Sequence, residues 1–181
     1  MTISVPVTLV TVAMLALTGC APAAKKADAG RVATPVQLLD HGRWREGGPS
    51  VDPFPDHRPA LVSCATGSWA REGETLEANT EWCNYILITQ PLAHALASGQ
   101  QLRVIFWHAT LTAPQPAVAH AAISISGKTI WERQIPIPQE AASYEDVVTV
   151  PLAIAVDAPI VYHLHNHGGN VWNLNKLELR P

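Results

Sequence analysis

Val161-Tyr162-His163-Leu164-His165-Asn166-His167-Gly168-Gly169-Asn170-Val171-Trp172-Asn173-Leu174 places a histidine at every second position, then two glycines, then a run carrying an indole. Side chains alternate between faces along a β-strand, so His163, His165 and His167 point the same way. No other segment of the chain concentrates ionisable or ligating groups in this manner. Gly-Gly suits a two-residue primed turn because both residues can take positive φ. Such a hairpin would set His167 opposite Asn170, His165 opposite Trp172 and His163 opposite Leu174.

Outward from this stretch the same texture continues. β-like runs are expected at 61–64, 82–89, 102–111, 118–126, 129–137, 146–156, 160–167 and 171–179. Turns are expected between them at Pro91, Gly99, Pro114, Pro116, Gly127-Lys128, Pro136, Pro138, Pro151, Pro159 and Gly168-Gly169. About eight short strands with Gly and Pro turns predict an all-β fold: a single antiparallel, jelly-roll-like β-sandwich with little helix. One helical turn is expected at Leu92–Ala97. Residues 35–60 hold several Gly and Pro breakers and read as irregular chain packed on the domain, with Trp44 and Phe54 as pins. The sandwich itself is assigned to 61–181, with no repeat and no second domain.

The order of the runs in 80–181 resembles that of galactose-binding-like jelly-roll modules. The residues concerned are Gly99–Val104, Ile123–Lys128 and the closing Trp172–Leu179. That resemblance implies a non-catalytic binding role, although fold alone does not establish one.

Residues 1–20 read as an export signal, with an apolar run from Val5 to Leu17 that is shorter than the roughly 20 residues a membrane span needs. The following Leu17-Thr18-Gly19-Cys20 resembles the lipobox of bacterial lipoproteins. This implies lipid on Cys20, a membrane partner through that lipid and a place in the cell envelope. Ala21, where an Asp would signal inner-membrane retention in that family, implies sorting to the outer membrane. No Lys or Arg precedes the apolar run, which departs from the family pattern. Residues 21–34 are small and polar, as a tether would be. With Cys20 lipidated, Cys64 and Cys83 remain as a disulfide pair suited to an oxidising compartment.

Charged residues make up 15% of the chain and the net charge is −3, so there is no basic footprint for nucleic acid. There is no nucleophile elbow, phosphate-cradling loop or dinucleotide fingerprint, and nothing in the sequence joins a histidine to Glu145 or Asp146 for acid–base work.

Three readings of the histidine strand follow. The first is a site for a carbohydrate or other polar ligand, lined by His163, His165, His167, Asn170 and Trp172. The chain's tryptophans offer flat faces on which a sugar ring can stack. The second is a Zn or Cu centre. Strand positions i and i+2 lie about 6.6 Å apart, within reach of one ion, whereas i and i+4 lie about 13 Å apart, so a third ligand must come from another strand. His108 and His120 are the candidates to join His163 or His165, and imidazoles suit either metal. His163–His167 also resembles the His-Leu-His-Gly-His segment of multicopper oxidases, with Asn166 in place of Gly. No His-Cys-His motif accompanies it, so only the use of alternating imidazoles carries over. The third reading is a structural envelope lipoprotein without a small ligand, its histidines satisfied by backbone and Asn partners. Trp107 and Trp172 are expected in the core.

Overall fold

The computed structural model describes residues 34–181. The signal-like run, Cys20 and all but the last residue of the expected tether lie outside the described residues. The rest forms eleven strands: β1 (Val36–Gln37), β2 (Arg45–Glu46), β3 (Trp69–Glu72), β4 (Thr75–Asn79), β5 (Tyr85–Pro91), β6 (Gln101–His108), β7 (Ala117–Ile125), β8 (Lys128–Ile137), β9 (Ala142–Thr149), β10 (Pro159–His165) and β11 (Val171–Leu179). They build two antiparallel sheets, one in the order β3-β4-β11-β6-β9 with β1 also on β11, the other in the order β2-β5-β10-β7-β8. This is the all-β sandwich that the sequence predicts.

Alternation explains the core. Leu102, Val104 and Phe106 of β6 face Ile86 and Ile88 of β5, Ala119, Ala121 and Ile123 of β7, and Ile160, Tyr162 and Leu164 of β10 in one buried cluster. Each buried Leu, Ile, Val or Phe among them contributes roughly 1.5–3 kcal/mol through the water it sheds. In β11 the apolar positions are Trp172 and Leu174, then Leu177 and Leu179, a break in the period of two. The ladder to β6 shifts between Leu174 and Lys176, and this bulge keeps both halves facing inward.

Four expectations need correction. First, Gly168-Gly169 does not close a hairpin. β10 pairs with β5 and β7, whereas β11 pairs with β4 and β6, so the two strands belong to opposite sheets. Side chains close the crossover instead of a ladder: Asn166 Nδ2 donates to Gly168 O at 2.6 Å, and Asn170 Nδ2 donates to His167 O at 2.9 Å. Second, Leu92–Ala97 is not a helical turn. Leu92 N donates to Ala158 O, and Leu96 bridges Ile154, so the segment runs beside the 154–158 stretch. Third, Leu61–Cys64 is not a strand, and only Cys64 forms an isolated bridge, to Cys83. The same two residues are joined by the disulfide. Fourth, Trp107 is half-buried rather than core, because its neighbours Phe106 and His108 take the inward positions.

The segment before residue 62 is more ordered than its breakers suggest. Trp44 is buried with its ring centroid 6.5 Å from that of Tyr162, and β2 pairs with β5 at the edge of its sheet. Beyond β2 the chain makes two 3-10 turns, Pro49–Val51 and Pro55–His57, and these form a strap over the outer face of that sheet. Tyr85 Oη donates to Asp52 Oδ2 at 2.5 Å, and Arg58 pairs with the same oxygen at 3.5 Å.

Candidate metal centre under the N-terminal strap

Tyr162 and Leu164 of β10 point into the core, so the alternating His163 and His165 point outward, toward the strap. β7 lies beside β10 with His120 paired to His165, which brings a third imidazole to the same face. The fourth, His57, descends from the strap. Its Nδ1 lies 2.9 Å from Nδ1 of His120.

One nitrogen from each of His57, His120 and His163 lies within 4.8 Å of the other two. Donors sharing a tetrahedral ion with bonds of 2.0–2.1 Å sit about 3.3 Å apart, so modest side-chain rotation would close the set. Phe54 packs at 4.6 Å from the His120 ring and 4.9 Å from the His163 ring, and Tyr85 packs at 5.0 Å from His163. The cluster therefore has an aromatic lining. His165 stands next to it, 6.4 Å between ring centroids from His57.

His163 is 0% exposed, and neither ring nitrogen has a hydrogen-bond partner among the described residues. A buried polar atom without a partner costs about 1–3 kcal/mol. Burial, followed by the neighbouring imidazoles of His120, His57 and His165, pushes the His163 pKa down to about 3, so the ring is neutral and its lone pair available. Burial also lowers the pKa of His120 and of His165. Two carboxylates stand behind the rings. His120 Nε2 lies 3.1 Å from Glu132 Oε2, which favours the tautomer that donates there and presents Nδ1 to the cluster. Asp52 Oδ1 lies 3.9 Å from His163 Nδ1, and its side chain is nearly fully buried. Carboxylates behind ligating imidazoles are the usual second partners at metal sites.

The candidate residues thus separate. His163, His165 and His120 come together. His108 sits on the opposite sheet, where its Nε2 lies 3.2 Å from Tyr144 Oη and its ring 5.3 Å from Trp172. The strand order places it on the inward face of β6, away from the cluster. Trp172 is 0% exposed in the sandwich interior, which removes it from any ligand-facing set. Asn170 is buried and committed to the crossover, its Oδ1 accepting from Thr112 N at 2.8 Å. His167 is exposed just past the end of β10, its ring tilted against that of His165 with centroids 4.7 Å apart. Sequence reasoning missed His57 and Asp52 as cluster residues. Both lie in irregular chain, which has no period from which a facing direction can be read.

No protein-family model matches the chain, and no curated protein matches it. Some solved structures are similar to the chain in part of its course. The chain is similar to a carbohydrate-binding module that recognises mannan, at 11% identity and a TM-score of 0.47, over 82% of this chain and 97% of that one. It is similar to the N-terminal cellulose-binding domain of β-1,4-glucanase C from Cellulomonas fimi, at 10% identity and a TM-score of 0.46, over 83% and 96%. It is also similar to the C-terminal carbohydrate-binding module of a laminarinase from Zobellia galactanivorans, at 15% identity and a TM-score of 0.40, over 66% and 93%.

Proposed function

We propose that this chain is an envelope lipoprotein that holds one transition-metal ion, Zn or Cu, between its β2-β5-β10-β7-β8 sheet and the N-terminal strap. His57, His120 and His163 supply the ligands, and His165 or a water completes the shell. The observation that carries this reading is the fully buried His163, whose two nitrogens lack partners beside two further imidazoles. An ion turns that cost into bonds. Neutral imidazoles suit Zn and Cu and leave harder cations such as Mg or Ca without the oxygen donors they need. The role is binding: the ligands lie under the strap, where Glu132 holds the His120 ring and the Asp52 carboxylate stands near His163.

The envelope location rests on the lipobox-like Leu17–Cys20, and the Cys64–Cys83 disulfide fits an oxidising compartment. Lipid on Cys20 would make the membrane its first partner, and the Ala after Cys20 favours the outer membrane. Incorporation of labelled fatty acid tests this, and a Cys20→Ser variant that still took up label would remove the lipoprotein assignment.

The deciding experiment is elemental analysis of the purified full chain beside a His120→Ala/His163→Ala variant. Near-stoichiometric Zn or Cu in the first and none in the second is expected. A metal-free chain after dialysis against both ions would overturn the reading.

A further inference from the structure

His163 is 0% exposed, and the strap closes over it. The Phe54 ring lies 4.9 Å away and the Tyr85 ring 5.0 Å, while Arg58 and Tyr85 both hold Asp52 of the strap. An ion bound there needs a way in. Exposure rises in steps from buried His163 through half-buried His165 to exposed His167. The His165 and His167 rings are 4.7 Å apart between centroids, and the His165 ring is 6.4 Å from that of His57, a ligand of the centre. His165 is also paired with His120 across the β10–β7 ladder. Imidazoles thus run in an unbroken series from solvent to the cluster.

We propose that His165 and His167 form a second, outer ion site, through which the strap centre takes up and releases its Zn or Cu. The inference rests on the metal reading of that centre and names how the centre exchanges its ion.

The geometry suits capture. Two bonds of 2.0–2.1 Å to one ion need nitrogens about 3.3 Å apart, a separation that rings 4.7 Å apart can present. The backbone of the outer site is preset. His167 O accepts from Asn170 Nδ2 at 2.9 Å, and Asn166 Nδ2 donates to Thr80 Oγ1 at 2.7 Å. This spares the ordering cost that weakens capture by a loose loop. His167 also lines a cavity of about 610 Å3 that reaches the Ala113–Val118 loop. Among the described residues no Lys or Arg lines that cavity, so no fixed positive charge repels an incoming cation. Val118 shares the outward side of β7 with His120, which brings the cavity to the neighbourhood of a second ligand.

The hand-over is a sequence of ligand exchanges. His167 and His165 bind the ion first, in place of two of its waters. His57 then bonds to it as His167 lets go, and His120 and His163 complete the set. Two imidazoles hold less firmly than three, so the ion passes inward.

The test is kinetic. Metal-free full chain, held in detergent, is mixed with Zn, and in a second series with Cu, and uptake is followed by stopped flow against a metal-sensitive dye. Release into excess chelator is followed in the same way. His167→Ala should slow both uptake and release about tenfold or more, because opening of the strap is the route that remains. The Kd should stay within about twofold of the parent, because a route changes the barrier in both directions and leaves the end states alone. His167→Asp keeps a ligating oxygen and should recover part of the rate. His94→Ala removes another exposed imidazole, on the Leu92–Ala97 segment that runs beside residues 154–158, and should change neither rate. Unchanged rates in His167→Ala, a raised Kd, or His167→Asp as slow as His167→Ala would overturn the proposal and leave the centre standing. A parent chain that binds neither ion would overturn the metal reading and this inference with it.

Discussion

His57 and His120 are 63 residues apart in sequence, yet their Nδ1 atoms lie 2.9 Å apart. One belongs to a 3-10 turn of the strap, the other to the middle of a sheet. An ion at this contact would join the N-terminal segment to the sandwich.

The joint predicts a protection effect. His57 N donates to Phe54 O and Arg58 N to Pro55 O, both in the turn that carries the ligand. Adding Zn to the metal-free chain should slow hydrogen exchange at these two amides, because local opening must then break metal bonds. In His57→Ala the exchange of Arg58 should be insensitive to Zn. Equal slowing in both proteins would show that the ion binds elsewhere.

The carboxylate behind His120 predicts a graded effect. Glu132→Gln keeps the shape but weakens the bond that selects the His120 tautomer. Outer-shell changes of this kind typically cost 10–100-fold in metal affinity. Glu132 is largely exposed, so the loss should fall near tenfold. Competition with a chelating dye would measure it, and an unchanged affinity would exclude Glu132 as a support.

The two glycines of the crossover should behave differently. Gly168 has φ +84°, and a Cβ there would meet the Thr112 carbonyl oxygen at 2.2 Å, so Gly168→Ala is both strained and blocked. A loss of about 2–4 kcal/mol in urea unfolding is expected. At Gly169 a Cβ would come no closer than 3.4 Å, to Glu81 Cα, and Gly169→Ala should cost under about 1 kcal/mol. Similar losses at both positions would contradict this account of the crossover.

His108 predicts a pH dependence away from the metal cluster. Its Nδ1 bonds Ala109 O at 2.8 Å and its Nε2 is placed to accept from Tyr144 Oη, an arrangement for the neutral ring. Burial holds its pKa below 6.5 in the fold. Below pH about 6.5 the unfolded chain binds a proton that the folded chain refuses, so stability falls as pH drops. Unfolding free energies at pH 7.5 and pH 5 should therefore differ more in the parent than in His108→Gln. An identical difference would remove His108 as the cause.

Much of this was written in local sequence, for a simple reason. A period of two marks a strand whatever it is paired with, so the runs at 102–111, 160–167 and 171–179 announced strands of an all-β sandwich, and of its core only Trp172 was named correctly. The shared face of His163 and His165, and the Cys64–Cys83 pair, follow from alternation and from counting. Tertiary structure alone decided which strands are neighbours. Gly-Gly serves a hairpin and a sheet-to-sheet crossover equally well, and the choice rested on Asn166, Asn170 and Thr80 meeting across 86 and 90 residues. That choice sent Trp172 into the core against His108 and left His163 facing outward. It also decided what covers His163, because His57 reaches it from irregular chain whose direction is set by packing, with no periodic backbone to reveal it.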